Sequence, residues 1–320
     1  MNIKKFIHKA NKFTKKGVPY LFVLDYELNK PFICKLSDLE KQQIYYQIKG
    51  KGNLKNVSKQ TIKIDTKPIP KNKYERSFNF AKKEIIAGNS YLLNLTFPSK
   101  IKSKHSLKDI IHQAKAEYKL FFKDKFISFS PESFIQIREN RIFTFPMKGT
   151  IDANLPDAEN KLINDKKETY EHNTIVDLMR NDLAMIATDV KINRLRYIDE
   201  IKTSKGSILQ VSSEIEAKLP LNWQENFGDL LLKLLPAGSI SGAPKTKTIE
   251  IINTAEKKKR GYYTGVFGVF DGESIDSAVL IRYIEKKKNK LVYRSGGGIT
   301  SQSKLDFEYN EMLQKIYIPI

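Results

Sequence analysis

The chain lacks most of what would mark a secreted, membrane-spanning or nucleic-acid-reading protein. Cys34 is the only cysteine in 320 residues, so no disulfide can form within the chain, and a reducing cytoplasm is the expected setting. No apolar run approaches the roughly 20 residues of a membrane span; Val18 to Leu24 is far too short. The basic stretch Met1 to Lys16 is not followed by a signal-type apolar block with a small-residue cleavage site. Arginine is scarce: nine of the 56 basic residues, the rest being lysines spread over the whole length. The formal charge of +20 therefore does not read as a nucleic-acid surface, which clusters its charge and leans on arginine. The densest runs, Lys257 to Arg260 and Lys286 to Lys288, fall at an expected helix end and an expected hairpin turn, where solvated side chains are the default. A field of this sign still steers small anions inward. Dinucleotide fingerprints, Walker loops, internal repeats and low-complexity tracts are also missing.

What is present is a chain 40% hydrophobic, enough for a sizeable core. Residues 1–66 read as a small α/β portion in which Tyr20–Leu24 and Pro31–Lys35 pair as a hairpin. Lys67-Pro68-Ile69-Pro70-Lys71-Asn72 reads as a linker. A helix is predicted from Tyr74 to Ala87, a strand from Tyr91 to Phe97, and a helix opened by Ser106 with Asp109 in its first turn, running to about Lys119. Strands follow between Lys125 and Phe145. A helical signal over Asp157–Asp182 is interrupted near Asn164-Asp165, and a last one runs from Ser301 to about Tyr317. Between them come strands at 187–202 and 206–218, helices at 224–235 and 244–258, and strands at 262–270, 274–285 and 290–295. The hairpin-like spacing favours antiparallel sheet.

Four constellations carry chemistry. Pro146-Met147-Lys148-Gly149-Thr150 follows the alternating segment Arg141–Phe145 and holds one lysine at a strand end. In a dry pocket its ammonium would be destabilised and the free amine, a nucleophile, made accessible; on a surface hairpin it would be an ordinary lysine. Glu168 and Glu171 are three apart on one expected helix, and Glu308 and Glu311 on another, so each pair shares a face. Facing one another across a cleft, such pairs need a cation, and carboxylate oxygens suit a hard ion such as Mg²⁺. The alternative is two solvated faces balanced by lysines such as Lys304 and Lys315. Two glycine sets, Ala237 to Lys245 and Gly296-Gly297-Gly298, suit an anion-binding loop and close backbone approach, or simply tight turns. Glu132, in Ser130-Pro131-Glu132-Ser133, comes to the same end as Lys148 if 133–138 and 140–145 form a hairpin. There it is either a proton donor or a salt-bridge partner.

Taken together these motifs resemble the chorismate-utilising enzymes, over roughly residues 74–317. The resemblance rests on Ser130-Pro131-Glu132, Pro146 to Thr150, Glu171-His172-Asn173 leading into Ile175 to Asp182, and Gly238 to Lys245. It continues through Arg260 to Gly265, Ile281-Arg282 and Ser295 to Ile299 as far as Glu308-Tyr309-Asn310-Glu311. It implies an α+β fold of two large, mainly antiparallel sheets packed together with helices outside. It further implies a single chorismate-binding domain over 1–320, with 1–66 a shortened N-terminal portion and 74–317 the catalytic core.

Within that family the resemblance is closest to the aminodeoxychorismate synthase branch. Lys148 stands where anthranilate synthases carry alanine, and Leu92 where water-adding members carry a lysine base. It implies Mg²⁺ on Glu171 and Glu311 with Glu168 and Glu308 supporting, and the enolpyruvyl carboxylate on Arg282 and Tyr263. Gly149, Thr150, Gly296, Gly297 and Gly298 are expected to line the substrate, Glu132 to protonate the leaving C4 hydroxyl, and Lys148 to attack C2 before ammonia adds at C4. Ammonia would come from a separate glutamine amidotransferase subunit and the product pass to a separate aminodeoxychorismate lyase, in p-aminobenzoate and folate biosynthesis; no membrane or nucleic-acid partner is expected. Leu209 stands where the family often has histidine, and no tryptophan-binding elements are evident in the N-terminal portion. The alternatives are amination at C2 with pyruvate loss, as in anthranilate synthase component I, and a non-enzymatic basic nucleic-acid-binding protein.

Overall fold

The computed structural model describes residues 1–319 except 56–60 and 204–205. Its frame is two nine-stranded sheets in which every paired neighbour is antiparallel. The first sheet runs in the order Met147–Asp152, Gly206–Lys218, Arg141–Thr144, Ser133–Arg138, Ile275–Val279, Val266–Phe270, Tyr20–Leu24 and Phe32–Lys35, with Thr188–Thr203 also paired to Gly206–Lys218. The second runs Gly242–Ala243, Leu92–Lys102, Lys290–Ile299, Tyr283–Lys287, Phe126–Ser130, Tyr118–Phe122, Ile44–Ile48 and Lys51–Gly52, with Asp65–Lys67 on the long Leu92–Lys102 strand.

Alternation of side chains along each strand builds the layers. Tyr20–Leu24 is buried at all five positions because both its faces are covered. Leu21 and Val23 join Phe267 and Ala278 against Tyr118, Leu120, Phe122, Phe126 and Tyr283 of the other sheet. Tyr20, Phe22 and Leu24 turn outward to the helices Ile3–Lys15 and Trp223–Lys233, meeting Phe6, Ala10, Trp223 and Phe227. These helices touch closely at Gly228, where a β-carbon would stand 2.9 Å from Ile7 Cα. Outside the second sheet lie the helices Lys71–Ile86, Lys245–Glu256 and Leu305–Gln314 over one apolar cluster and Leu107–Gln113 over another.

The chain passes between the sheets at two corners that matter for the site. Phe126–Ser130 belongs to the second sheet and Ser133–Arg138 to the first, so Pro131-Glu132 is a crossing. Ile275–Val279 returns by Leu280–Arg282 to Tyr283–Lys287. The corners are hydrogen-bonded to one another's strands: Val279 N donates to Glu132 O at 3.2 Å and Phe129 N to Arg282 O at 3.1 Å. Arg282 takes a left-handed φ of 48°, uncommon outside glycine. The strand expected over 274–285 is therefore two strands in two sheets. A continuous apolar run contains no sign of the corner. The helix expected to reach Lys119 also stops earlier, at Gln113, and the aromatic, wholly buried run Tyr118–Phe122 is a strand.

Arg260 is not the solvated end of a lysine run. Its side chain and that of Glu256 are 1% and 3% exposed and pair through two bonds, 2.6 and 3.1 Å. Arg260 also donates to Asn94 O and Ile240 O, while Glu256 accepts from the amide and hydroxyl of Thr96. One ion pair thus ties the helix Lys245–Glu256, the strand Leu92–Lys102 and the short helix Gly238–Ser241. Breaking a buried pair leaves a buried charge without its counterion. We expect Glu256→Gln to destabilise the fold by about 3–5 kcal/mol in urea unfolding. Lys15→Ala, which removes a surface pair with Glu225, should change stability by less than about 1 kcal/mol. Equal midpoints for Glu256→Gln and wild type would contradict this assignment.

Candidate active site

Lys148 is the second residue of the strand Met147–Asp152, paired with Val211 just before a bulge at Gly149. Gly149 has φ 76°, and a β-carbon there would lie 3.1 Å from Leu162 Cδ1 and 3.4 Å from Glu168 Oε2. The glycine lets the helix Lys166–Ala184, capped by the Asp165 carboxylate on Glu168 N, press its first turns onto the strand. That contact brings Glu171 Oε2 to 3.1 Å from Lys148 Nζ.

The second acidic pair arrives on the helix Leu305–Gln314. Glu308 is 1% exposed and accepts a hydrogen bond from Ser303 Oγ at 2.7 Å. Glu311 receives Lys315 Nζ at 2.6 Å, and that ammonium also reaches Gly296 O at 3.2 Å. The glycine strand runs between the two pairs. A β-carbon on Gly297 would lie 3.5 Å from Glu311 Oε1 and 3.8 Å from Glu308 Oε2, and one on Gly298 3.2 Å from Lys148 Nζ and 3.8 Å from Glu171 Oε2. Leu92 Cδ1 closes the same spot, 3.2 Å from the Gly298 position. The strand Tyr283–Lys287 pairs with this one only as far as Arg294, so beyond it the outer edge of the glycine run has no strand neighbour among the described residues.

The corner residues face this cleft. Glu132 is partly buried, accepts a hydrogen bond from Ser239 Oγ at 2.5 Å, and feels the charges of Lys148, Arg282 and Lys315. Arg282 carries its guanidinium 5.2 Å from the ring of Tyr317. Two expected site residues are placed differently. Thr150 is exposed, opposite Gln210 in the ladder. Tyr263 is 4% exposed in the core between the sheets, its ring beside Tyr283 and under the Arg294 guanidinium, within electrostatic reach of Arg282. Gly296 directs its β-position at the neighbouring strand, 2.4 Å from Leu95 O. Leu209 is half-buried and pairs with Ile151.

A sequence model of chorismate binding enzymes matches residues 33–320. The chain belongs to the chorismate-binding enzyme family. Over 99% of its length it is 52% identical to an uncharacterized PabA-like protein of Haemophilus influenzae, 97% of which is covered. A shorter match, 36% identical, joins 59% of this chain to 42% of aminodeoxychorismate synthase component 1 of Salmonella typhimurium. The chain thus spans less than half of that relative. The fold is similar to that of the menaquinone-specific isochorismate synthase of Escherichia coli, with a TM-score of 0.74 at 14% identity over 98% of this chain and 80% of that one. The two antiparallel sheets with outer helices expected from the motifs are the architecture observed. Among the described residues, no helix is long and apolar enough to cross a membrane.

Electrostatics in this cleft correct one expectation. Burial does pull the Lys148 ammonium towards its neutral form, but Glu171 beside it, with Glu168 and Glu311, outweighs burial and holds its pKa above the usual lysine value. The resting side chain is an ammonium. Burial raises the Glu132 carboxyl, against the Ser239 hydroxyl and the charges of Lys148, Arg282 and Lys315. His172 is 1% exposed, with Nε2 2.7 Å from Ser213 Oγ; burial and the charges of Arg196 and Lys148 push it down to about 4, so it is neutral at pH 7.

The solvated-face alternative fails for Glu171 and Glu308, which are 5% and 1% exposed. Among the described residues no three acid, histidine or cysteine side chains form a ready-made metal cage. The donor set is nonetheless all carboxylate oxygen, opposed across Gly297 and Gly298, with Lys148 and Lys315 as the positive charges. That suits a hard ion that keeps waters and takes few protein ligands. Sequence reasoning passed over Ser303, held Ser239 only as part of the glycine loop, and named Lys315 only as a balancing lysine of a solvated face. The Glu311–Lys315 spacing of four on a helix is the signal that would have found the last. The loop containing Ser239 reads instead as a clasp. Ile240, Ser241 and Gly242 donate their amides to Ala237 O and Gly238 O within it, and Lys245 grips Asp182 at 2.9 Å.

Glu132 generates a pH prediction. Its folded-state pKa lies above the unfolded value, so ionising it works against the fold. Glu132→Gln should be more stable than wild type near pH 7. The gain should vanish below about pH 4, where both side chains are neutral in either state. Urea melts of the two proteins at both pH values measure it; a pH-independent difference would count against a raised carboxyl.

Proposed function

We propose that the protein aminates chorismate at C4, giving 4-amino-4-deoxychorismate, with ammonia supplied by a glutamine amidotransferase partner. The observation that carries this reading is Lys148 Nζ in the cleft, 3.1 Å from Glu171, with Leu92 rather than a basic side chain beside it. An apolar wall offers nothing to activate water, which disfavours the isochorismate and salicylate reactions. The partial match to the Salmonella synthase is consistent with this branch, but an anthranilate synthase component 1 of Acetivibrio thermocellus matches nearly as well, 34% identical over 60% of this chain, so the branch rests on Lys148 and Leu92.

Each residue has a part in this scheme. The nitrogen of Lys148 bonds to C2 as the ring double bonds shift and the C4 hydroxyl departs, and Glu171 Oε2 is the nearest acceptor for the proton the ammonium sheds. Glu132, its carboxyl raised by burial, gives the proton that turns the leaving hydroxyl into water. Ammonia then bonds to C4, and the lysine nitrogen leaves C2 as the double bonds shift back. Dividing one displacement into two is the general gain of covalent catalysis. Arg282 grips the enolpyruvyl carboxylate, a geometry the guanidinium fork suits. Glu171 and Glu311, with Glu168 and Glu308 supporting them, would hold Mg²⁺, which supplies positive charge for the ring carboxylate.

Purified protein incubated with chorismate, Mg²⁺ and an ammonium salt, with an aminodeoxychorismate lyase added afterwards, tests the reading. p-Aminobenzoate should form only with the lyase. Fluorescent anthranilate formed without it would replace this reading with C2 amination and pyruvate loss. In the same assay Lys148→Ala should lose 4-amination, and Glu132→Ala should lower kcat by about 10²–10⁴-fold. Undiminished 4-amination by Lys148→Ala would remove the nucleophile from the scheme.

A further inference from the structure

The segment after the last helix lies against the site and is tied down on both sides of Tyr317. Tyr293 Oη donates to Tyr317 O at 2.9 Å, and Lys115 N donates to Pro319 O at 2.6 Å. Ile316 and Ile318 pack into the apolar cluster under the helix Leu107–Gln113, with Phe129 and Tyr293. The Tyr317 ring does not join them. It remains 43% exposed and lies over Arg282, whose guanidinium carbon is 5.2 Å from the ring centroid, and the Tyr317 side chain also hydrogen-bonds with Arg282.

Arg282 needs such support. It sits at the crossing between sheets with a left-handed backbone, and its Nε is buried with no hydrogen-bond partner among the described residues. A guanidinium covered on one face by an aromatic ring keeps its N–H edge available for a planar, bidentate acceptor. Glu132 lies within reach of its charge, which places Arg282 on the side of the cleft where that acid stands.

We propose that Tyr317 is a positioning residue: its ring seats Arg282 so that the guanidinium edge receives a substrate carboxylate, making the 316–319 segment one wall of the binding site. This rests on the reading of the cleft as a chorismate site.

Two measurements test it separately. In calorimetric titration with chorismate, Tyr317→Ala should weaken binding roughly 3- to 30-fold, and KM should rise with little change in kcat. Tyr317→Phe, which keeps the ring but loses the phenol's hydrogen bond to Arg282, should lose less affinity than Tyr317→Ala; an equal loss would assign the effect to the hydroxyl and overturn the ring as the seat. In an Arg282→Ala background, Tyr317→Ala should add nothing further. An equal loss with and without Arg282 would mean a general effect of the tail and would overturn the proposal. The second measurement needs no substrate: phenylglyoxal modification of Arg282, followed by peptide mass mapping. Tyr317→Ala should speed it several-fold and Tyr317→Phe less than Tyr317→Ala. An unchanged rate in Tyr317→Ala overturns the seat. Failure of the wild-type protein to bind chorismate, with that rate difference intact, overturns the reading of the cleft and leaves the seat standing.

Discussion

Four carboxylates on two helices are kept around one short run of backbone, and the rest of the site depends on that confinement. Glu171 and Glu308 are buried, and burying like charges together is costly without compensation. The protein compensates locally with Lys148 against Glu171, Lys315 against Glu311 and the Ser303 hydroxyl against Glu308. It also keeps β-carbons off that run: at Gly297 one would meet Glu311 and Glu308, and at Gly298 it would press on Leu92 and Lys148. The sheet below and the helices above are the means of holding those side chains at that distance.

The two sheet crossings do the equivalent work on the opposite side. Each corner places one functional side chain, Glu132 or Arg282, at the boundary between sheets, and each corner's carbonyl accepts an amide from the other crossing segment. A strand that changes sheets must bend sharply, and here the bend delivers an acid and a guanidinium to one cleft. The Arg260–Glu256 pair stabilises the segment behind it, including the short helix that carries Ser239 to Glu132. Packing, hydrogen bonding and placement of the reactive groups are therefore not separable in this part of the molecule.

Local signals in the sequence reached most helices and hairpins, because capping residues and periodicity are local. The interruption at Asn164-Asp165, for instance, is where one helix ends and Asp165 caps the next. The corner at Arg282 was not legible, since a buried strand reads the same whether it stays in one sheet or crosses to another. The residues of the cleft were legible as motifs, but their electrostatic balance was not. Whether a buried lysine rests as an amine or an ammonium depends on which carboxylates face it, and those, Glu168, Glu171 and Glu311, lie outside the lysine's own local segment. The parts played by Tyr317 and Ser239 were invisible for the same reason. Their partners, Arg282 and Glu132, are distant in sequence and meet them only through the fold.

The charge inventory of the cleft links the proposed substrate to the proposed ion. Glu168, Glu171 and Glu311 act on Lys148, Lys315 is engaged by Glu311, and Glu132 feels Lys148, Arg282 and Lys315, so among the described residues both lysines are already bound to glutamates. The chain as a whole carries +20 and draws small anions towards it. On the proposed reading Arg282 answers one carboxylate of the substrate, and an ion held by the acidic pairs would answer the other, since carboxylate oxygens suit a hard cation. The assignment of the glutamates as holders of that proposed ion therefore stands or falls with the assignment of the proposed substrate.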